Sequence, residues 1–340
     1  MKFDVTIFPD DLNGAGSLAR AVEEYGFDGL WTSETAHNPF LPLTHAAAAT
    51  QRILLGTAVA IAFPRSPMVT AQIAWDLAGQ SHGRFALGLG TQVKQHITKR
   101  FGVEWTAPVP RLREYIQAMR AIWSTFQTGA PLRFSGEHYK LTLMTPFFNP
   151  GAIAHPDIPI YIAGVNEGLC RLAGELCQGF HVHPFHTLRY LTNLIVPAIT
   201  QGAESAGRTK ADVALSCAIF VVTGKDAQEM ANNSAIVRSQ IAFYASTPSY
   251  STVMEMHGWM DLHERLNALS REGKWYEMGD LISDDMLNEF AVVAPLDELP
   301  HAVMERYNGL LDRVGYYFPF VPGEADKEMV WKRAAEVFCA

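Results

Sequence analysis

The chain has 340 residues, 48% of them hydrophobic and 18% charged, and Asp plus Glu outnumber Lys plus Arg by 35 to 27, for a formal charge of −8. That balance fits a globular enzyme, and no apolar run approaches the ~20 residues of a membrane span. An acidic chain with no basic tract is a poor partner for nucleic acid or an anionic membrane, because neither counterion release nor phosphate pairing favours it. The four cysteines, Cys170, Cys177, Cys217 and Cys339, form no CxxC pair. The opening MKFDVTIF has no apolar leader core and reads as a strand, so a reducing, cytoplasmic setting is expected.

In chain order, residues 2–8 alternate as a strand, 17–25 read as a helix stopped by Gly26, and 27–32 as a second apolar strand. A short helix at 43–51 precedes a strand at 53–62, and a helix at 67–78 leads into a strand at 84–90. Residues 110–127 place Leu112, Tyr115, Ile116, Met119, Ile122, Trp123 and Phe126 on one stripe, which predicts an amphipathic helix packed on the sheet. Residues 128–158 then break the rhythm with Gly129, Pro131, Gly136, Pro146, Pro150 and Pro156, and read as an insertion at the site. Strands resume at 158–163, 179–183 and 213–223, with helices at 167–178, 187–206 and 226–244. A second irregular stretch, 245–287, mixes Pro248, Gly258, Gly273 and Gly279 with Trp259, Trp275 and several methionines, and reads as a lid or oligomer surface. A helix at 295–311, an eighth strand at 314–320 and a closing helix at 327–338 complete the pattern. Eight strands, each followed by a helix, predict one α/β domain over 1–340: a parallel (β/α)8 TIM barrel with two insertions.

The segment 83–94, GRFALGLGTQVK, carries the first chemical hint. Leu87 and Leu89 alternate with Ala86, Gly88 and Gly90, so one strand face is bulky and the other nearly bare. A bare face lets another backbone or a flat ring approach closely, although a plain turn after a strand also explains the glycines.

Taken together, FDGLWTSET, RILLGTAVAIAFPRSP into AQIAWDL, GRFALGLGT, REYIQAMRAIW, FSGEHYKL, and PIYIAG through RLAGELCQGF resemble the bacterial-luciferase-like superfamily. The likeness is to its branch of oxidoreductases that use coenzyme F-420, a deazaflavin, and it covers most of the chain. It implies a barrel, often dimeric, that holds F-420 or, alternatively, FMN at the C-terminal ends of the strands and acts on a small organic molecule. Hydride transfer is implied with F-420, and oxygen insertion with FMN. The resemblance puts a cofactor-facing position on Ser33 and Glu34. Several members carry a histidine directly after that acid; here Thr35 follows, and the histidine comes at His37, so Glu34 and His37 are the catalytic candidates. It also implies a cis, non-proline bond at a bulge between Ala58 and Val59, and ring or ribityl contacts at Thr91 and Gln92. A phosphate loop is implied at Ala163, Gly164, Val165 and Asn166, where free amides and the helix dipole favour an anion.

Plainer readings stand beside these. Glu34 could cap the turn after its strand, His37 could be a surface histidine, and Arg65 in FPRSP could reach an anionic cofactor tail or pair with a carboxylate. His181, His183 and His186 end the sixth strand as HVHPFH, and HxH at a barrel strand end is also how metal-dependent hydrolases set two imidazoles on one face. The later strand ends offer no carboxylate, so no metal is expected, and His181 and His183 are read as lining a substrate pocket. A non-catalytic flavin-binding barrel is the last alternative; the long, aromatic-rich insertions favour an enzyme.

Overall fold

Alternation decides what each strand buries. In the computed structural model, which describes residues 1–8, 11–323 and 325–339, Phe3, Val5 and Ile7 of β1 (Lys2–Ile7) are buried in the outer core, while Asp4 is bonded to groups inside the barrel. The same two-residue period runs through β2 (Gly29–Thr32), β3 (Leu54–Thr57), β4 (Phe85–Gly90), β5 (Ile160–Gly164), β6 (Gly179–Val182), β7 (Ala214–Val222) and β8 (Arg313–Tyr316). Each strand pairs in parallel with the next, and β8 pairs with β1, so the ring closes as the expected (β/α)8 barrel. Closure leaves none of these eight strands as a sheet edge.

Helices α1 (Leu12–Glu24), α2 (Leu41–Ala49), α3 (Pro67–Gln80), α4 (Pro108–Thr128) and α5 (Glu167–Leu176) follow the first five strands. Local chemistry sets their starts. Asp11 accepts the Gly14 amide ahead of α1, and Ser66 accepts the Val69 amide ahead of α3, whose first residue is proline. The stripe expected on α4 is observed, with Leu112, Tyr115, Ile116, Met119, Ile122, Trp123 and Phe126 all buried.

Two expectations are corrected. The stretch 245–287 is largely helical, with helices Ser251–Met256 and Met260–Arg271 and several single 3-10 turns. Its Gly258 and Gly273, at φ 73° each, are stops between short helices and not marks of a loop. The helix expected at 295–311 shrinks to Leu299–Tyr307, because Ala291–Val293 just before it forms an extra strand beside the end of β7. No described helix is long and apolar enough to cross a membrane.

The strand expected at 53–62 is broken. It stops at Thr57, the Ala58–Val59 bond is cis, and Ala60–Ile61 resumes alongside β4. The bareness of β4 is used here by the chain itself. A Cβ on Gly88 would lie 1.7 Å from the Thr57 carbonyl oxygen, and one on Gly90 would lie 2.6 Å from Val59 Cγ2. The Thr57 hydroxyl then donates to the Gly88 carbonyl at 2.7 Å and accepts the Gly88 amide at 3.0 Å. Gly88→Ala should therefore cost stability at the upper end of the roughly 1–3 kcal/mol typical of overpacking, read from urea unfolding. A loss below ~0.5 kcal/mol would show that the bulge can shift freely.

Candidate active site at the barrel mouth

Register orders the barrel interior into levels. Ser216 pairs with both His181 and Arg313, Ala218 with Gly315, and Phe220 and Tyr317 lie one level above. At the floor, Asp4 takes the Arg313 guanidinium at 2.6 and 2.5 Å and the Trp31 indole N–H at 2.8 Å. His181 packs into the same floor, with its ring 4.7 Å from Trp31 and 5.1 Å from Tyr161. The interior below the mouth is thus filled by side chains, and any ligand must sit above it, at the C-terminal ends of the strands where barrel enzymes work.

The mouth has two unlike halves. From β2 to β5 it is lined by small groups: Ser33, Ala58, Gly90 and Ala163. Ser33 donates to the Ala58 carbonyl at 2.7 Å, which ties the end of β2 to the bulge. From β6 to β8 it is aromatic: His183, Phe220 and Tyr317, with Tyr244 and Tyr250 packed on them.

Glu34 is committed. Its carboxylate holds both terminal nitrogens of Arg65 at 2.7 and 2.9 Å and accepts the Ile61 amide at 2.7 Å. The pair is nearly closed to solvent, with side-chain exposures of 7% for Glu34 and 15% for Arg65. Glu34 therefore clamps the bulge from behind, and Arg65 is its partner, which settles the two readings of Arg65 in favour of a carboxylate. His37 stands exposed on the loop after β2. Thr91 is buried at the end of β4, and Gln92 adopts φ 59° and accepts the Val93 amide with its own side chain at 2.9 Å.

The loop Ala163–Asn166 ends β5 and starts α5. Asn166 gives α5 no side-chain cap, and the Leu169 amide already bonds the Asn166 carbonyl at 3.1 Å, which leaves the Glu167 and Gly168 amides of the first turn for an outside acceptor. Tyr190 donates to the Val165 carbonyl and holds the loop from below. A Cβ on Gly164 would lie 2.5 Å from Leu169 Cβ, so the helix can fold back this closely only on a glycine.

The three histidines of HVHPFH do not converge. His181 is in the floor, His183 is at the mouth, and His186 turns outward, where its Nδ1–H donates to the His183 carbonyl at 2.9 Å and lies 3.7 Å from the Cys217 sulfur. Of the two read as substrate-lining, His183 alone reaches the mouth. Among the described residues the group close enough to hold an ion is Glu114, Glu137 and His138, away from the mouth, and the Glu114 carboxylate is already taken by the Glu137, His138 and Tyr139 amides. A cleft of about 540 Å3 near Arg120, Trp123 and Arg208 also lies on the outer wall, and both arginines there close the carbonyl end of α5.

Burial holds the His181 pKa down at about 3, helped by Arg313, and the His186 pKa at about 4. The unfolded chain takes up these protons below about pH 6.5 while the folded chain does not, so stability present above pH 6.5 is lost as pH falls. By pH 5.5 each histidine should remove about 1.4 kcal/mol, and a melting series from pH 7.5 to 5.5 should show Tm dropping steadily. A flat Tm over that range would contradict the neutral, buried state of both rings.

Sequence reasoning missed Tyr244, Tyr250, Tyr317 and the Asp4–Arg313 pair. The pair had a signal: Asp4 and Arg313 both fall at inward positions of apolar strands. Tyr244 and Tyr250 arrive from a helix end and a turn, which no strand period reports.

A sequence profile described as luciferase-like monooxygenase matches residues 4–313, about nine-tenths of the chain. The chain belongs to the luciferase-like monooxygenase family. Its relatives in this family include an uncharacterised protein of Mycobacterium tuberculosis, 46% identical over 92% of both chains. They also include the 5,10-methylenetetrahydromethanopterin reductase of Archaeoglobus fulgidus, 28% identical over 91% of this chain and 90% of that one. Among solved structures, the coenzyme F-420-dependent tetrahydromethanopterin reductase of Methanopyrus kandleri superposes with a TM-score of 0.80 at 22% identity, covering 99% of this chain and 97% of its own. That superposition establishes the luciferase-like barrel as the fold.

Proposed function

We propose that this luciferase-like oxidoreductase uses F-420 to move a hydride to or from a small organic substrate. The observation that carries the reading is the small-residue half of the mouth, where Ser33, Ala58 and Ala163 offer few bulky side chains and Val59 of the bulge covers Gly90. The fold relationship to an F-420-dependent reductase supports it. Ser33, Ala58, Val59, Thr91 and Gln92 would hold the ring and its chain. The amides of Ala163, Gly164, Val165 and Asn166, at the uncapped start of α5, would hold the phosphate. Exposed Lys94, Lys99 and Arg100 follow β4 and add local positive charge for an anionic tail on an otherwise acidic protein. When bound, F-420 supplies hydride chemistry at a ring carbon, and the protein supplies orientation and electrostatics. With Glu34 paired to Arg65, His37, exposed on the loop after β2, is the candidate that remains for proton exchange.

Titration with F-420 and with FMN in parallel, followed by fluorescence, tests the reading. F-420 should bind at least roughly tenfold tighter than FMN, a difference of about 1.4 kcal/mol. Tighter binding of FMN would replace the reading with that of an FMN-dependent monooxygenase. His37→Ala should leave F-420 affinity unchanged and slow the substrate-driven change in F-420 absorbance by ~10²-fold; unchanged rates would remove His37 from the mechanism.

The working unit is proposed to be a homodimer. Helix α2, LPLTHAAAA, leaves Leu41 49% exposed beside Thr44, His45 and Ala48, and Val69 on α3 is 46% exposed, so these two helices offer apolar groups to a second copy. Light scattering giving the mass of one chain would refute this.

A further inference from the structure

The aromatic half of the mouth carries hydroxyl groups that nothing so far uses. Tyr317 follows the last residue of β8, Tyr244 lies near the end of the helix Ala227–Ala245, and Tyr250 closes the turn Pro248–Tyr250. Tyr244 and Tyr317 share a hydrogen bond between their hydroxyls, and the Tyr250 hydroxyl is 3.2 Å from His183 Nε2. The rings form one cluster. His183 lies 4.7 Å from both Tyr244 and Tyr250, Tyr244 lies 5.6 Å from Tyr250, and Phe220 lies 5.0 Å from Tyr317. His183, Tyr244, Tyr250 and Tyr317 are each partly open to solvent, while Phe220 beneath them is buried.

Hydrogen-bond direction follows from one amide. His183 Nδ1 accepts the Phe185 N–H at 3.0 Å, so in the neutral ring the proton sits on Nε2 and is donated to Tyr250. The Tyr250 hydroxyl proton is then free for another acceptor. In the Tyr244–Tyr317 pair one hydroxyl donates to the other, and one proton is again left over. Two donors therefore point from the cluster to whatever occupies the mouth. Burial lowers the His183 pKa to about 3 and raises that of Tyr250 to about 12, with Tyr244 raised as well, so these three groups stay uncharged at neutral pH. The hydrogen bonds described for the four side chains run to one another and to backbone, not to a lysine, arginine or carboxylate.

We infer that the hydroxyls of Tyr244, Tyr250 and Tyr317, with His183 behind Tyr250, seat the oxygen of an uncharged ketone or alcohol and turn away carboxylates and phosphates. A neutral donor pair matches a carbonyl or hydroxyl oxygen, whereas an anion brought against these rings loses hydration and meets no cation. Aromatic walls suit a hydrocarbon body of ring size. The inference deepens the proposed function, since it names the substrate class for the half of the mouth that the cofactor ring leaves open.

Calorimetry with acetophenone, benzoate and ethylbenzene tests it, on the protein alone and with F-420 added. Acetophenone should bind in at least one of the two states, and benzoate at least roughly tenfold more weakly. Tyr250→Phe and Tyr317→Phe should each weaken acetophenone about 3–10-fold, the scale of one neutral hydrogen bond, and leave ethylbenzene unchanged. The inference falls if acetophenone binds in neither state, if benzoate binds as well as acetophenone, or if both Phe variants bind acetophenone normally. It also falls if ethylbenzene weakens in parallel, since the hydroxyls would then serve packing. The cofactor reading is scored separately by the F-420 titration: failure of F-420 to bind, with acetophenone behaving as expected, removes the cofactor and keeps the oxygen seat.

Discussion

Asp4→Ala should be among the most damaging single substitutions in the protein, with an expected loss of about 3–5 kcal/mol in urea unfolding out of a typical total of about 5–15. Asp4 is the acceptor for both the Arg313 guanidinium and the Trp31 indole, and Asp4 and Arg313 are almost closed to solvent, with side-chain exposures of 4% and 7%. Removing the carboxylate leaves a guanidinium charge inside the barrel with no ion-pair partner in contact and only the more distant Asp28 to offset it. The pair itself is a weaker source of stability than that number suggests, because both ions were desolvated to make it. The double replacement Asp4→Leu with Arg313→Met should therefore recover most of the loss. A single Asp4→Ala variant within ~1 kcal/mol of the parent would mean that water reaches the floor and solvates Arg313.

Glu34→Gln should be the second most damaging change, at about 3 kcal/mol, for the same reason applied to Arg65 at the rim. The effect should spread to the bulge, because the lost carboxylate also accepts the Ile61 amide. F-420 affinity should therefore fall with stability. Arg65→Met supplies the decisive comparison. If Glu34 works as a clamp, both variants share one defect; if it moves a proton, Glu34→Gln alone loses turnover by ~10²-fold while folding normally.

The strands and their order could be read from sequence because the barrel's outer face is buried against helices and its inner face is not free to be apolar throughout. That produces a strict two-residue period in segments such as Phe3-Asp4-Val5 and Phe85-Ala86-Leu87, and periods survive in a sequence. The bulge at Ala58–Val59 was marked through a resemblance and not through any local pattern, since RILLGTAVAIA looks like one continuous strand. Glu34 falls at the rim as expected, and its pairing with Arg65 is what the sequence does not report. A carboxylate beside a bulge looks the same in sequence whether it faces substrate or an arginine thirty-one positions on. The helices Ser251–Met256 and Met260–Arg271 were hidden because each stops two residues before a glycine, so the punctuation outweighed the period. The tyrosine cluster was invisible because its members come from a strand end, a helix end and a turn, joined only by the fold.

The contact between Asp4 and Arg313 joins positions 309 apart, so the two ends of the chain are stitched together at the floor of the ring. Synthesis from the N-terminus therefore makes β1 almost first and its last neighbour almost last. For nearly the whole of translation β1 carries an unpaired backbone edge and a carboxylate awaiting its guanidinium, which is the condition in which strands recruit foreign strands. Such long-range pairing also makes for slow folding. A nascent chain of this kind has reason to depend on chaperones until its closing strand is free to join, and a premature stop before Arg313 leaves a ring open by its last strand, with no guanidinium for Asp4.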